Sequence, residues 1–544
     1  MRRTRALQKP PYYAPDVITM PVDAPTGGWD AISPLAKMET KYAVVLENWV
    51  PRTGYVELRR GYQAWTQAVT TEPIESLMTY RPAASAEVLM AAGGSSIWDV
   101  STAGLPTLSA TGFTSARWQH INFTPAGGSN YLYIVNGFDS PRYFNGSTWT
   151  VAGITGVTPG NLINITAHKR RVWFIEKQST SAWYLATDAI TGAATEFNLG
   201  ALITQGGYLV AMGSWTIDGG MGPDDYAVFV TSRGEIILYK GTDPASAANW
   251  ELVGVFRMPP PLGYRCLHKS GSELWIITIQ GVIPIAQALP YNPDAARSVA
   301  ITSRIQNAML QSGAAAQTQF GWQLMSYPAQ ALAILNVPIA ENSSQQQYVM
   351  NMLTGAWCKF SGWNANCFEI LNDNLYFGDN HGNINIAYRG VADLVSPIVA
   401  DMKCAFNYFG DPARLKRMTM AEPLLVTSGT ITPTIAVDVD FADSSPSAPV
   451  SAITPVGGVY DTSVYDTGTY AAGESSLSPW LSVLAQGRAL ALRMKVNVLP
   501  SGTDSQSIFD TGTFDVMVFD PLTSDTATLQ VNAFNTLMEL GANV

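Results

Sequence analysis

Charge is scarce in this chain: only 14% of its 544 residues are Asp, Glu, Lys or Arg. Disorder needs high charge with low hydrophobicity. With 47% apolar residues, the chain instead has the material for a large core. Histidine and cysteine are equally sparse, at four each. Cys266, Cys358, Cys367 and Cys404 fit neither a zinc framework nor a CxxC pair. They read as reduced core residues of a protein made in a reducing cytosol. His120, His168, His268 and His381 are scattered, with no HExxH pair to hold zinc. No glycine loop ends in Lys-Ser/Thr to cradle phosphate, and no GxSxG elbow exposes a serine nucleophile. Long apolar runs are missing too: LWIITIQGVIPIAQAL is interrupted by Gly281 and Pro284 and is too short to span a bilayer. The N-terminal MRRTRALQKPPYYAP is basic, but no apolar stretch follows it as in a secretory signal. These absences argue against catalysis and predict no cofactor and no metal.

Turn formers and aromatics are plentiful: 46 Gly, 33 Pro, 15 Trp and 23 Tyr. Aromatic and β-branched residues suit pleated, half-buried surfaces, while Gly and Pro supply turns. A mainly β fold with many short strands is expected. From residue 71 to 396 one pattern recurs: an apolar strand, a Gly or Asn turn and an aromatic strand. The copies are AEVLMAAGGSSIWDV, SNYLYIVNGFDSPRYFNGSTW, KRRVWFIEKQSTSAWYLA, DYAVFVTSRGEIILYKG, SELWIITIQGVIPIAQAL, QQYVMNMLTGAWCKF and DNLYFGDNHGNINIAY. The first five begin roughly 40–60 residues apart, the period of propeller blades. The last two break that spacing and are read as sharing a blade. Blades stacked round an axis bury both faces of each sheet and leave short edges. The pattern predicts a β-propeller-like core of six or seven blades, some incomplete. A β-sandwich array is the alternative. Within this region, 298–322 has helical spacing, with Ile301, Ile305, Ala308 and Met309 on one face. That predicts a helix inserted between blades and packed on the propeller.

Residues 1–70 are expected to form an N-terminal arm and strand segment, with five prolines before residue 26 favouring an extended path. Residues 397–544 are expected to form a separate, sandwich-like C-terminal β domain. This last region is strongly acidic. From Met418 onward, 13 acidic residues face only Arg488, Arg493 and Lys495, which accounts for the whole net charge of −10. A nucleic-acid binder would carry the opposite sign. Two acidic turns, IDGGMGPDDY (217–226, with Asp218, Asp224 and Asp225) and DNHGN (379–383), supply hard oxygen ligands but not calcium-loop spacing, and read as loops. Paired carboxylates on a propeller would also allow a glycosidase, although Asp-box repeats are absent.

Several segments resemble the tail-nozzle family of short-tailed bacteriophages, also called tail tubular protein B or packaged-DNA stabilisation protein. They are ENWVPRTGYVELRRGY, NGFDSPRYFNG, DDYAVFVTSRGEIILYKGTDP, VPIAENSSQQQYVMNMLTGAWCKF, NLYFGDNHGNINIAY, AFNYFGDPARLKRM and VYDTSVYDTGTY, in that order along nearly the whole chain. Tyr stands where the family's Asp-Thr repeats carry Trp, and the match after Phe519 is loose. The resemblance implies a hexameric ring below a portal and adaptor ring, located in the virion tail and assembled in the host bacterial cytoplasm. It implies tail fibre or tailspike and tip proteins as neighbours. Double-stranded DNA would pass through during ejection without sequence-specific binding. It implies no chemistry. On that reading Asp438, Asp440, Asp443, Asp461, Asp466, Asp510 and Asp515 are candidates to face the channel, repelling DNA. Arg2, Arg3, Arg5 and Lys9 are candidates for an arm docking on a neighbouring subunit. The rival readings are a propeller that binds a host receptor or glycan, and a propeller glycosidase.

Overall fold

The computed structural model describes residues 17–218, 223–289, 297–427, 433–443, 475–498 and 529–543. Its core is a seven-bladed β-propeller. Blades 1 to 4 are four-stranded antiparallel sheets spanning 74–111, 119–151, 162–198 and 209–257. Blade 5 has three strands within 267–284, and blade 6 has four within 323–360. Blade 7 takes three strands from 365–387 and its outermost from Tyr62–Thr66, antiparallel to Ile384–Ala387. The innermost strands form a closed ring. Gln323 of blade 6 brackets the inner strand of blade 7, donating from Nε2 to the Phe368 carbonyl and accepting at Oε1 from its N–H. The seam between blades 7 and 1 is held by the Thr79 hydroxyl on the Ile370 carbonyl at 3.0 Å.

Six of the seven recurring hairpins are the same part of the fold, the second and third strands of a blade; the sixth is the third and fourth strands of blade 6, Ser344–Asn351 and Trp357–Phe360. The second strand is buried on both faces, so its apolar residues alternate between two interfaces. Tyr131–Val135 shows this: Leu132 and Ile134 pack towards blade 1, Tyr133 and Val135 towards blade 3. Each such side chain contributes about 1.5–3 kcal/mol on burial. The two irregularly spaced hairpins do not share a blade. The sixth comes late because the insertion precedes it. The seventh comes early because the sixth lies one strand further out in its blade, so that only the inner strand Ala365–Leu371 stands between the two.

The insertion contains the helix Gln306–Ala316, preceded by 3₁₀ turns at Arg297–Val299 and Ser303–Ile305. Ile305 and Met309 are fully buried against Trp275, Ile277 and Leu324, with Ile301 and Ala308 at the margin. The residues before the helix also cover the free edge of blade 5: Ile301 N–H donates to the Val282 carbonyl, and Val282 N–H to Thr302 Oγ1. The place of a fourth strand is filled by this segment.

The C-terminal residues form two packed sheets, as a sandwich. One contains Ser396–Cys404, Leu490–Val498 and Pro433–Val439. The other is built on Arg414–Thr427 paired with Leu529–Asn543. Strands pair across the sequence-based boundaries at 70 and 397. Tyr42–Glu47 pairs with Ser396–Cys404 and meets the edge of blade 6 at Lys359. Val17–Asp23 and Val56–Leu58 pair with Leu529–Asn543. A single apolar cluster runs from Phe360, Trp363 and Phe377 of the last two blades to Met418, Phe534 and Met538 of the sandwich.

At this junction lies Arg59, 1% exposed. Its guanidinium makes a bidentate pair with Asp393 at 2.8 and 2.6 Å, donates to Asn48 Oδ1 and the Ser361 carbonyl, and lies against Phe360 and Trp363. Removing one member of a buried pair leaves an uncompensated charge, costing about 3–5 kcal/mol, whereas replacing both with apolar residues is often neutral. Arg59→Met should therefore lower unfolding free energy by that amount in guanidinium titrations. The double variant Arg59→Met/Asp393→Leu should recover most of it. Additive losses would show that the pair is not coupled.

Candidate functional site

The inner strands surround an axial cavity of about 470 Å³. Every blade contributes to its lining: Leu77, His120, Asn164, Ser214, His268, Gln323 and Glu369, in blade order. His120 Nε2 and Glu369 Oε2 face each other at 3.7 Å, and Arg81 stands 3.6 Å from the same carboxylate. Burial, with Arg265 and Arg81 nearby, holds the His120 imidazole neutral, down to about 3. Burial raises Glu369 to about 7, against the pull of Arg81. Near neutral pH the His120–Glu369 contact is thus not an ion pair.

Beyond a waist at Gln119, Tyr264 and Arg265 lies a second cavity of about 240 Å³, roofed by Gln317–Trp322, the chain leaving the inserted helix. Phe320 is fixed there by two guanidiniums, with Arg117 at 4.4 Å and Arg265 at 4.9 Å from its ring centre. Arg117 in turn pairs with Glu75 and Glu341, and Glu341 accepts the Phe320 N–H. Arg265 donates to the Glu75 and Trp118 carbonyls and to Ser76 Oγ. Phe138, 55% exposed, carries Lys177 over its ring at 4.1 Å beside this cavity. The mouth of the propeller is closed by this cation–aromatic arrangement. Sequence reading missed it, because its members come from five distant segments. The one available signal was the polar inner strand Gln119–Phe123 next to an apolar one.

Two Ser–His contacts border the axial cavity: His168 Nδ1 with Ser214 Oγ at 2.9 Å, and His268 Nε2 with Ser326 Oγ at 2.7 Å. Both join neighbouring blades. Burial lowers both imidazoles to about 4, for His168 with Lys169 adding to the effect. His168 Nε2 meets no acceptor, so no third group orients the ring as a nucleophile's base requires. The four cysteines are buried free thiols. Burial raises Cys266, Cys367 and Cys404 to about 12 and raises Cys358 as well, so none is a ready nucleophile. Among the described residues no three His, Cys, Asp or Glu side chains are grouped to hold a metal ion. Asp225 is held by Lys169 and Thr216 within a hairpin of blade 4. The side chains of Asp218 and Asp224 lie outside the described residues. Asp379 closes its own hairpin by accepting from the His381 and Asn383 N–H groups.

The candidate channel-facing carboxylates divide. Asp438 is buried and pairs with Lys403 at 2.6 Å, so it faces the sandwich interior and not a channel. Asp443 is exposed but bound by Lys403 and Arg493. Asp440 is exposed and accepts the N–H groups of Arg488 and Ala489. Asp461, Asp466, Asp510 and Asp515, and the arm residues Arg2, Arg3, Arg5 and Lys9, lie outside the described residues. Charge that is segregated along the sequence is therefore balanced in this sheet. Lys403 precedes the acidic stretch but stands in a strand of the same sheet, where Asp401, Asp438 and Asp443 meet Lys403, Arg493 and Lys495.

No family model matches the sequence, and no curated protein matches it. Solved structures that match in part include BBS1N, crystallised in complex with ARL6DN, at 9% identity over 62% of this chain and 100% of that one, with a TM-score of 0.36. A second is the extracellular domain of a one-component system, BT4673 from B. thetaiotaomicron, at 11% identity over 69% of this chain and 48% of that one, with a TM-score of 0.37. A third is a quinonprotein alcohol dehydrogenase-like protein, BT1487 from the same species, at 10% identity over 53% and 66%, with a TM-score of 0.31. None of these likenesses bears on activity. The strand order itself defines the class: a mainly β, propeller-based protein with an interlocked β-sandwich. Among the described residues no helix is long and apolar enough to cross a membrane.

The raised Glu369 has a measurable consequence. A carboxyl whose pKa is higher folded than unfolded gives stability that is complete below about 4.5 and lost as pH rises to about 7. Glu369→Gln removes that loss. The variant should match the parent chain at pH 4.5 and exceed it at pH 8, by up to about 3 kcal/mol at 1.36 kcal/mol per unit. Denaturant titrations at both pH values provide the comparison, and an equal difference at both would contradict it.

Proposed function

We propose that this chain is a non-catalytic structural subunit of a short-tailed phage tail, a nozzle subunit that joins a ring below the portal and adaptor. In that role it retains the packaged genome and conducts DNA during ejection. The observation that carries this reading is where the resembling segments fall. Four of the seven phrases lie on recurring blade hairpins, ENWVPRTGYVELRRGY holds Arg59 at the junction, and AFNYFGDPARLKRM leads into the long sandwich strand. The resemblance thus follows the elements that make one continuous core of propeller and sandwich, as suits a part under mechanical load. The axial cavity is about 470 Å³ and its mouth is blocked by Phe320, too small for a duplex. The conduit of this proposal therefore runs between subunits round a ring axis. In a ring each subunit uses two different surfaces, and the contact closes or forms a filament.

The second reading, a module that binds a receptor or glycan, is favoured by one feature: exposed Phe138 and Tyr264 beside the mouth cavity. Imaging and mass measurement of the chain mixed with its adaptor decide between them. A closed ring, expected with six copies, supports the nozzle; a single copy bound to the adaptor, or no complex, overturns it.

Two finer expectations go with the ring. Deleting residues 1–12 should weaken assembly on the adaptor while leaving the thermal transition of the isolated chain unchanged, if Arg2, Arg3, Arg5 and Lys9 form a docking arm. Replacing Asp461, Asp466 and Asp510 with Lys should raise affinity for DNA at low salt and slow ejection, because each added phosphate contact binds the passing strand. Normal ejection by that variant would remove these residues from the channel wall.

A further inference from the structure

The mouth cavity is lined by three cations, Arg117, Lys177 and Arg265, and by no Asp or Glu among the described residues. The axial cavity beyond the waist differs, because Glu369 faces it. A cleft lined by one sign of charge within low-dielectric walls concentrates ions of the other sign. Which of the three cations can serve depends on their partners. Arg117 is engaged, since Glu75 and Glu341 pair with it at 2.9 and 2.6 Å. Arg265 pairs with no carboxylate among the described residues. Its hydrogen bonds all leave from Nη2, to the Glu75 and Trp118 carbonyls and Ser76 Oγ. Nε and Nη1 donate to nothing among the described residues, yet neither is sealed from solvent. Lys177 has no carboxylate partner among the described residues either, and its ammonium rests on the Phe138 ring.

The rest of the lining is rich in rings. Phe138, Tyr264, Phe320 and Trp322 all border the cavity, and Ile163 adds an aliphatic surface. Phe138 and Tyr264 are 55% and 42% exposed, so the rim lies open to solvent. Arg265 is fixed in place: two carbonyls and Ser76 hold Nη2, and Phe320 lies 4.9 Å from the guanidinium carbon. A guanidinium positioned in this way, with donors to spare, recognises an acid group through charge-assisted hydrogen bonds. The rings beside it suit an apolar body attached to that acid group. At about 240 Å³ the cavity is smaller than pockets for drug-sized ligands, roughly 300–1,000 Å³, which limits the body to a single ring. We propose that the mouth cavity binds a small organic anion, an acid group carried on one apolar ring, with the acid on Arg265 in the field of Lys177. The proposal rests on neither the nozzle nor the receptor reading. Assembly on the adaptor and ligand binding by the free chain are separate measurements.

Calorimetric titration of the intact chain at low salt tests it with four probes. Benzoate and phenyl phosphate carry both ring and charge, benzyl alcohol the ring alone, and acetate the charge alone. At least one of the two ring acids should bind about tenfold or more tightly than benzyl alcohol and acetate. The preferred acid tells whether the site takes a carboxylate or a phosphate. Arg265→Met should abolish binding, with the thermal transition measured alongside, because Arg265 also ties backbone carbonyls. Lys177→Glu is the second variant: its ammonium only rests on a ring, so the fold should survive. The new carboxylate opposes the ligand and should weaken binding at least about fivefold, whereas Lys177→Arg should keep it. Failure of both ring acids to bind, benzyl alcohol or acetate binding as tightly as they do, or an unchanged affinity in K177E would each overturn the proposal.

Discussion

Arg59 carries a permanent charge into a place closed to solvent, and much of the molecule is arranged to accommodate it. Its partners come from three segments: Asn48, eleven residues earlier, Phe360, Ser361 and Trp363 at the end of blade 6, and Asp393 after blade 7. Arg is suited to this position because its planar fork meets a carboxylate with two parallel bonds while its face stacks on aromatic rings. The neighbouring strand Tyr62–Thr66 is thereby set against blade 7. Ring closure, the position of the sandwich and the continuity of the core all meet at that one guanidinium.

Legibility in the sequence followed burial. The second and third strands of six blades, and the third and fourth of blade 6, were readable because they are well covered and their apolar runs are dense. Inner strands such as Gln119–Phe123 carry polar residues towards the axis, and outer strands such as Thr107–Thr111 are half exposed, so neither shows a periodic signal. The helix was legible from the spacing of Ile305 and Met309, although its start was placed too early, since 3₁₀ turns carry the same apolar residues before it. The composite seventh blade was not legible, because nothing local in Tyr62–Thr66 names a partner more than three hundred residues away.

The candidate site was read less well than the fold, for a related reason. A sequence displays charge along one dimension, while a sheet brings together strands that are distant in the chain. Asp438 belongs to an acidic stretch by position, and to a balanced cluster with Lys403 and Arg493 by contact. Arg117, Arg265 and Phe320 close the propeller mouth although nothing in their local sequence links them. In both cases the informative quantity is the neighbour across the sheet or ring.

The composite seventh blade also sets a schedule. Arg59 leaves the ribosome 334 residues before Asp393. At about 5–20 residues per second, its partner follows roughly 15–70 seconds later. Throughout that interval the strand Tyr62–Thr66 is an unpaired edge with a buried charge still to place, while six blades form behind it. The ring cannot close before that wait ends, and the last blade to be synthesised completes it by returning to one of the first segments made.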